Sequence, residues 1–317
     1  MVAIIRTARE WVVRRLIGRR ARTEFTVDPQ ADARHPLRLD EHEAFYFLFT
    51  SEDGTLTGGL RALVGPDSLL EMAALRSGDR AWLYQRRAPY QAGTDPYEIA
   101  GPQLRFRCHT PWEHWAAHFN GMALTPTGDS ETLDIALHYR ATTPPAALHL
   151  GAYTQVQQDG RLQGTLCAPG LAWEGELLCY RDHSWGRRGA GNIPGWMIID
   201  IPEHLYAFIL GDMDFQPVGL GRWIAPDGTL RPLVAPRVMP QGAGWRVSDP
   251  RAGMSTWTFT RLTPAGVSYL GAAGEEAVKS QPGPGDRFVD EIGPAVFTAE
   301  DNRQIVGFWD QARRLHT

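Results

Sequence analysis

Tyr180-Arg181-Asp182-His183-Ser184-Trp185-Gly186-Arg187-Arg188 is the densest chemistry in the chain. It gathers an acid, an imidazole, a hydroxyl, a large aromatic ring and fixed cations into one short run. The apolar residues 177–180 lead into it as a strand, and the glycine-containing stretch 189–195 follows. Side chains alternate across a strand, so Asp182 and Ser184 share one face and Arg181, His183 and Trp185 the other. If one face is a barrel interior, its charged groups need partners or a task, because an unpaired buried charge is costly.

The same pattern extends outward along the chain. Phe45-Tyr46-Phe47-Leu48-Phe49 is followed by Asp53-Gly54 and then by the strand-like residues 56–64. Asp-Gly between apolar runs signals a hairpin. Further strand-like runs occupy residues 133–140, 196–201, 205–210, 219–224 and 255–262, with turn signals such as Gly65-Pro66, Gly128-Asp129, Asp159-Gly160 and Asp227-Gly228 between them. Short strands at even spacing indicate barrels or sandwiches. The 33 Gly, 23 Pro and 11 Trp fit many turns around large aromatic surfaces.

A length of 317 residues exceeds the usual domain of about 100–200. Thr142-Thr143-Pro144-Pro145 suits a linker, since two consecutive prolines suit no central strand. The expected division is a basic amphipathic helix at 1–22, one barrel at 23–145 and a second at 146–317. Helices are expected only at residues 3–21, near Glu41 and over residues 299–314.

Composition excludes several classes. Hydrophobic residues make up 43% of the chain and charged residues 21%, an ordinary globular balance. No apolar run is long enough for a transmembrane helix. A net charge of −4 gives no nucleic-acid signature. Residues 1–22 nevertheless hold seven arginines against Glu10, with Ile4, Ile5, Ala8, Trp11, Val12 and Leu16 on one helical face. Such a helix either docks on the protein or makes peripheral contact with an anionic membrane surface. Charges interrupt it too often for a signal-peptide core. Cys108, Cys167 and Cys179 are odd in number and lack a Cys-x-x-Cys pair, so no disulfide framework is expected and a reducing, cytoplasmic compartment is.

The run Asp-His-Ser-Trp-Gly-x-Arg at 182–188, with Trp173-Glu174-Gly175 before it, resembles the signature of a lipocalin-like superfamily. That superfamily includes carotenoid 1,2-hydratase (hydroxyneurosporene synthase), tocopherol-cyclase-like, kievitone-hydratase-like and pericyclase members. Gly58-Gly59-Leu60-Arg61 and Pro111-Trp112-Glu113-His114-Trp115 agree with it, and the resemblance spans roughly residues 40–310. It implies an all-β fold of two consecutive lipocalin-like (calycin) antiparallel β-barrels with short N- and C-terminal helices. It also implies a cavity for a hydrophobic small molecule of isoprenoid, polyene or polyketide type, hydrated, cyclised or isomerised without a cofactor.

Within that frame each residue type has an expected role. Protonating an alkene carbon needs a strong acid, and burial can keep a carboxylic acid protonated. Asp182 is the expected donor, with His183 as the alternative donor or the group that sets its proton. Trp185, Trp196 and Trp223 are expected to bind substrate and stabilise a carbocation, worth up to about 2 kcal/mol when desolvated. Arg187 would hold a polar end of the substrate or pair with Asp182, and Ser184 would line the site. In the structural reading of the same run, Asp182 bridges to Arg187, His183 bonds backbone and Trp185 plugs a barrel end. A non-catalytic carrier and a pericyclase that templates one substrate conformation are the alternative functions.

No metal site is expected. His109, His114, His118 and Glu113 lack the His-Glu-x-x-His order, and His114 and His118 read as one face of a strand. Asp200, Asp212 and Asp214 follow apolar strands; Asp212 and Asp214 read as a turn between Gly211 and Pro217, with two carboxylates on one strand face, an acid/base or cation site, as the alternative. No Gly-x-Ser-x-Gly elbow, P-loop or dinucleotide fingerprint is present.

Overall fold

The structure is a computed structural model that describes residues 21–187, 195–211, 216, 218–264, 266–271, 276–278 and 286–315. Its first twelve strands are β1 (Ala21–Glu24), β2 (His42–Thr50), β3 (Leu56–Val64), β4 (Ser68–Ser77), β5 (Arg80–Pro89), β6 (Glu98–Ala100), β7 (Leu104–Thr110), β8 (His114–Leu124), β9 (Ser130–Ala141), β10 (Ala146–Leu150), β11 (Tyr153–Ala168) and β12 (Leu171–Gly186). The remaining strands are β13 (Gly195–Ile201), β14 (Leu205–Leu210), β15 (Val218–Ile224), β16 (Leu230–Pro232), β17 (Arg237–Gln241), β18 (Gly244–Asp249), β19 (Met254–Arg261), β20 (Gly266–Gly271), β21 (Glu276–Val278), β22 (Asp286–Ala299) and β23 (Gln304–Arg314). Two single 3-10 turns, Pro29–Asp32 and Pro250–Ala252, are the only helical pieces among the described residues.

Phe25–Pro145 and Gln155–Arg188 form one compact unit. Its strands run β11-β12-β2-β3-β4-β5-β8, and β9 pairs with both β8 and β11, which closes an antiparallel barrel. Full closure removes the exposed strand edges. The β6–β7 hairpin lies along β8. Alternation on β2 sends Glu43, Phe45, Phe47 and Phe49 inward, where the phenylalanines meet Trp82, Phe106, Trp115, Phe119 and Tyr139. Each fully buried Phe contributes about 1.5–3 kcal/mol. Gly58 lets strands and core close up: a Cβ there would lie 2.5 Å from the Ala74 carbonyl oxygen and 2.7 Å from the Phe49 ring.

The second unit comprises Met1–Glu24, Ala146–Thr154 and Gly189–Thr317. Its main sheet has the order β16-β15-β14-β13-β23-β22-β19-β18-β17, with β20 on β22 and β21 on β20. Met197, Ile199, Leu205, Trp257, Phe297 and Trp309 form its core. β1 pairs with β10 in the same unit.

The all-β, two-domain lipocalin-like fold expected from the sequence is the fold observed. Three local expectations are corrected. The helix expected over residues 299–314 is instead the last residue of β22, a turn at 300–303 and the strand β23, which pairs with β13 on one side and β22 on the other. Its place between two strands decides its conformation, as tertiary context overrides local pattern. Glu41 follows a turn at residues 39–40 and starts no helix. Pro144-Pro145 does interrupt pairing, but β11 and β12 carry the chain back to close the first barrel, so residues 182–186 of the motif belong to that barrel. Of the expected N-terminal helix, residues 1–20 lie outside the described residues, and Ala21 and Arg22 belong to β1. None of the three cysteines is in a disulfide. Among the described residues no helix is long and apolar enough to cross a membrane.

Candidate functional site

The site grows from the β2–β12 register, in which Arg181 lies opposite Phe47, His183 opposite Phe45 and Trp185 opposite Glu43. Arg181, His183 and Glu43 are thereby buried on one face, inside the first barrel, with the partly buried Trp185 beside them. The 3-10 turn Pro29–Asp32 brings a second carboxylate to them. Asp28 caps that turn by accepting from the Gln30 N–H at 2.8 Å, and Asp32 at its end is fully buried.

Arg181 Nη2 donates to Asp32 Oδ1. The guanidinium faces the rings of Trp115 at 4.7 Å, Trp112 at 5.2 Å, Phe47 at 5.7 Å and Tyr139 at 5.9 Å. Asp32 Oδ2 accepts from the Trp112 backbone N–H at 2.6 Å and from Trp115 Nε1–H at 2.9 Å. Trp112 holds a left-handed backbone (φ 59°), a conformation costly for a bulky residue. Its bond to Asp32, with Nε1–H to the Asp28 carbonyl at 3.0 Å, fixes that turn.

His183 is completely buried beside both acids. Its Nε2 is 2.9 Å from Glu43 Oε1, and its Nδ1 is 3.7 Å from Asp32 Oδ1. Phe45 stacks on the ring with 4.1 Å between centroids. Glu43 reaches further, to His35: Oε1 is 2.7 Å from His35 Nδ1, and both carboxylate oxygens lie 3.1 Å from the His35 backbone N–H. His35 stacks on Trp185 at 4.0 Å and 14°. The result is a row of neighbouring ionisable groups, hydrogen-bonded from Arg181 to Asp32 and from His183 through Glu43 to His35, a histidine whose side chain is 24% exposed.

The charges on this chain follow from its contacts. Burial works to raise the Asp32 carboxyl, but Arg181 and His183 outweigh it and hold the group below the usual carboxylate range. Burial likewise opposes ionisation of Glu43, and the bonds with His183 and His35 overcome it. Burial pushes the His183 imidazole down, and the nearby Asp32 carboxylate with the bonded Glu43 carboxylate more than reverses this, leaving it above its ordinary value. Two carboxylates favoured in their charged form therefore flank an imidazole whose protonation they favour, next to a guanidinium.

The other expected site residues fall elsewhere. Asp182 points to the opposite face of β12, where its Oδ2 accepts from Gln155 Nε2–H and from the Tyr180 hydroxyl at 3.1 Å. Consecutive strand residues point apart, so Asp182 and His183 do not share one site. Ser184 is buried. Arg187 is exposed and pairs with Asp40 at 2.5 Å, which replaces the expected bridge to Asp182. Trp196, on β13, donates to Asp310 at 3.1 Å, and Trp223, on β15, belongs to the core of the second unit. Asp200 is buried in that unit, while Asp212 and Asp214 lie outside the described residues. An open cleft of about 590 Å³ in the second unit is lined by Thr23, Leu220, Pro236 and Arg251 among others, and by none of the expected site residues.

Asp32, Glu43 and His35 were not expected. A signal for Glu43 exists: it is the acidic member of the inward alternation Glu43, Phe45, Phe47, Phe49 on a strand that is otherwise core. Asp32 and His35 sit in irregular chain with no periodicity to mark them. His35, Glu43 and His183 bring ligand-type atoms within 4.8 Å of one another. The short contacts of Glu43 Oε1 to both imidazoles already account for that convergence through protons.

The chain belongs to the family described as "Domain of unknown function (DUF7064)", whose model matches residues 28–264. No curated protein matches it in sequence. Solved structures match it in fold. An AttH-like protein (NE1406) from Nitrosomonas europaea aligns with TM-score 0.65 and 14% identity over 92% of this chain and 98% of that one. Kievitone hydratase from Nectria haematococca aligns with TM-score 0.57 and 10% identity over 90% and 93% of the two chains. CghA, crystallised with Sch210972, aligns with TM-score 0.51 and 11% identity over 92% and 97%. At these identities the likeness is one of fold.

Proposed function

We propose that the protein is an acid–base enzyme of hydratase or cyclase type that acts on an apolar, unsaturated small molecule. The observation that carries this reading is the buried relay His183–Glu43–His35. A packing device has no need of a proton-exchanging group at its outer end, and His35 is such a group. Glu43 accepts from His35 Nδ1–H and sets the ring's orientation and tautomer, which leaves Nε2 for the substrate. His183 acts through Glu43 and is a positioning residue. Trp185, stacked on His35, offers an apolar wall beside the reacting nitrogen. The shared fold with a protein named as a hydratase agrees with the reading.

The chemistry balances without a further reactant. In hydration, protonated His35 Nε2 gives its proton to one alkene carbon. The electron pair of the double bond forms the new C–H bond, and a water oxygen bonds to the other carbon. That water returns a proton to Nε2. In cyclisation a second double bond replaces the water as nucleophile, and loss of a proton from carbon restores the imidazolium. Isoprenoid, polyene and polyketide-like compounds all supply such double bonds.

The test is incubation of the full chain with a panel of such compounds in deuterated water, read by mass spectrometry. Conversion with deuterium on carbon, lost in His35→Gln and Glu43→Gln while both stay folded, is the expected result. Compounds that bind and return unchanged would make the protein a carrier. Turnover untouched by either substitution would remove the relay from the chemistry.

A further inference from the structure

A second histidine cluster lies outside this relay. We propose that His109, His114 and His138 form a binding site for one divalent transition-metal ion on the outer face of the first barrel.

The placement follows from strand alternation. Cys108, Trp115 and Tyr139 point into the core, so the residues next to them, His109, His114 and His138, face outward. The strands β7, β8 and β9 are consecutive neighbours. His138 lies one rung diagonally from His114, since His114 pairs with Arg140 and Ala116 with His138. On the other side Cys108 pairs with Trp115 and Thr110 with His114, which makes His109 the extra residue of a bulge. Bulges re-aim side chains, and here the imidazole comes over His114. The ring centroids are 4.7 Å apart for His109–His114, 5.8 Å for His114–His138 and 6.5 Å for His109–His138. One nitrogen from each ring lies within 4.8 Å of the others.

Three nitrogens at that spacing are close to a coordination set. A tetrahedral zinc-type ion at 2.0–2.1 Å needs its nitrogens about 3.4 Å apart, a closure that small rotations of the exposed His109 and His138 rings supply. Imidazole suits zinc, nickel and copper, and three protein ligands leave one position to water. His114 Nε2 is itself buried and has no hydrogen-bond partner among the described residues. A buried nitrogen left so carries an unrecovered desolvation cost, which coordination removes. Arg140 pairs with His114 across the strands and lies close enough to act on its imidazole electrostatically. Arg140 opposes a cation, so Arg140→Gln is expected to tighten binding. His118 takes no part: it pairs with Asp134 at 3.6 Å, and its backbone is about 13 Å along the strand from His114.

The experiment is titration of metal-stripped full-length protein with Zn²⁺ by calorimetry, and with Co²⁺ by visible absorption. One equivalent bound in the micromolar range is expected. His109→Gln and His138→Gln, both on exposed side chains, should weaken it at least tenfold, while His118→Ala and His35→Gln leave it unchanged. Absence of one-equivalent binding would overturn the proposal. So would equal binding by the His109 and His138 variants, since the ion would then sit elsewhere, as at His35, Glu43 and His183.

Discussion

Each unit of this protein packs an arginine against two tryptophans, and the two arginines differ in what they hold. In the first barrel Arg181 faces Trp115 and Trp112 and is bonded to the Asp32 carboxylate. In the second unit Arg261 lies over Trp245 at 4.1 Å and Trp309 at 4.4 Å, and its Nη2 donates to the neutral Gln311 side chain at 2.5 Å. Packing of guanidinium on indole thus recurs with a neutral partner and is a device of the fold. The acid–imidazole chain is attached to Arg181 alone. Arg181 is therefore best assigned to fixing Asp32, and the chemistry to the groups beyond it.

The largest expected difference between the two regions is in stability. Asp32→Asn leaves Arg181 buried without a counter-charge, a loss of about 3–5 kcal/mol. Gln311→Ala removes one hydrogen bond from a partly buried arginine, at about 0.5–1.5 kcal/mol. Urea unfolding measures both, and equal losses would erase the distinction. Next in size is turnover: Glu43→Gln should lower it by about 10²–10⁴, the usual worth of a positioned acid or base, with urea stability checked alongside.

Stability should also depend on pH from both sides. Asp32 and Glu43 have lowered folded-state values, so what they contribute is present above the ordinary carboxylate range and lost as pH falls through those values. His183 has a raised value, so its contribution is complete below about 6.5 and lost as pH rises through the folded value. Urea midpoints across acid and alkaline pH should peak between these limits, and Glu43→Gln should flatten the alkaline side. Trp185→Ala should cost about 0.5–1.5 kcal/mol through the lost stack on His35. The smallest effect belongs to Asp182→Asn, which should leave the His183 ring signals in place because Asp182 faces the other way.

How much of this was legible in the sequence depends on periodicity. Alternation placed Arg181, His183 and Trp185 on one face of β12, and Asp-Gly after Phe49 marked the β2–β3 hairpin. The barrel-closing return of β11 and β12 was not legible, because Pro144-Pro145 reads as a boundary and strand pairing across that distance leaves no local trace. Residues 299–314 read as a helix because nothing in their order reveals that β13 and β22 lie on either side. The site was half legible. His183 and Trp185 stand in the motif, whereas their partners come from a 3-10 turn, a loop and the far strand β2. Arg187 reads from the sequence as holding a polar substrate end or pairing with Asp182; its position past the strand end puts it beside Asp40.

The decisive measurement is the titration of the His183 ring, followed by ¹H–¹⁵N NMR of imidazole-labelled protein. The His183 ring, beside Asp32 and Glu43, should titrate above the ordinary histidine value, and its titration should move down markedly in Glu43→Gln. A His183 titration at or below the ordinary histidine value, or one unmoved by Glu43→Gln, would mean that the carboxylates and imidazoles inside the barrel do not form a proton relay.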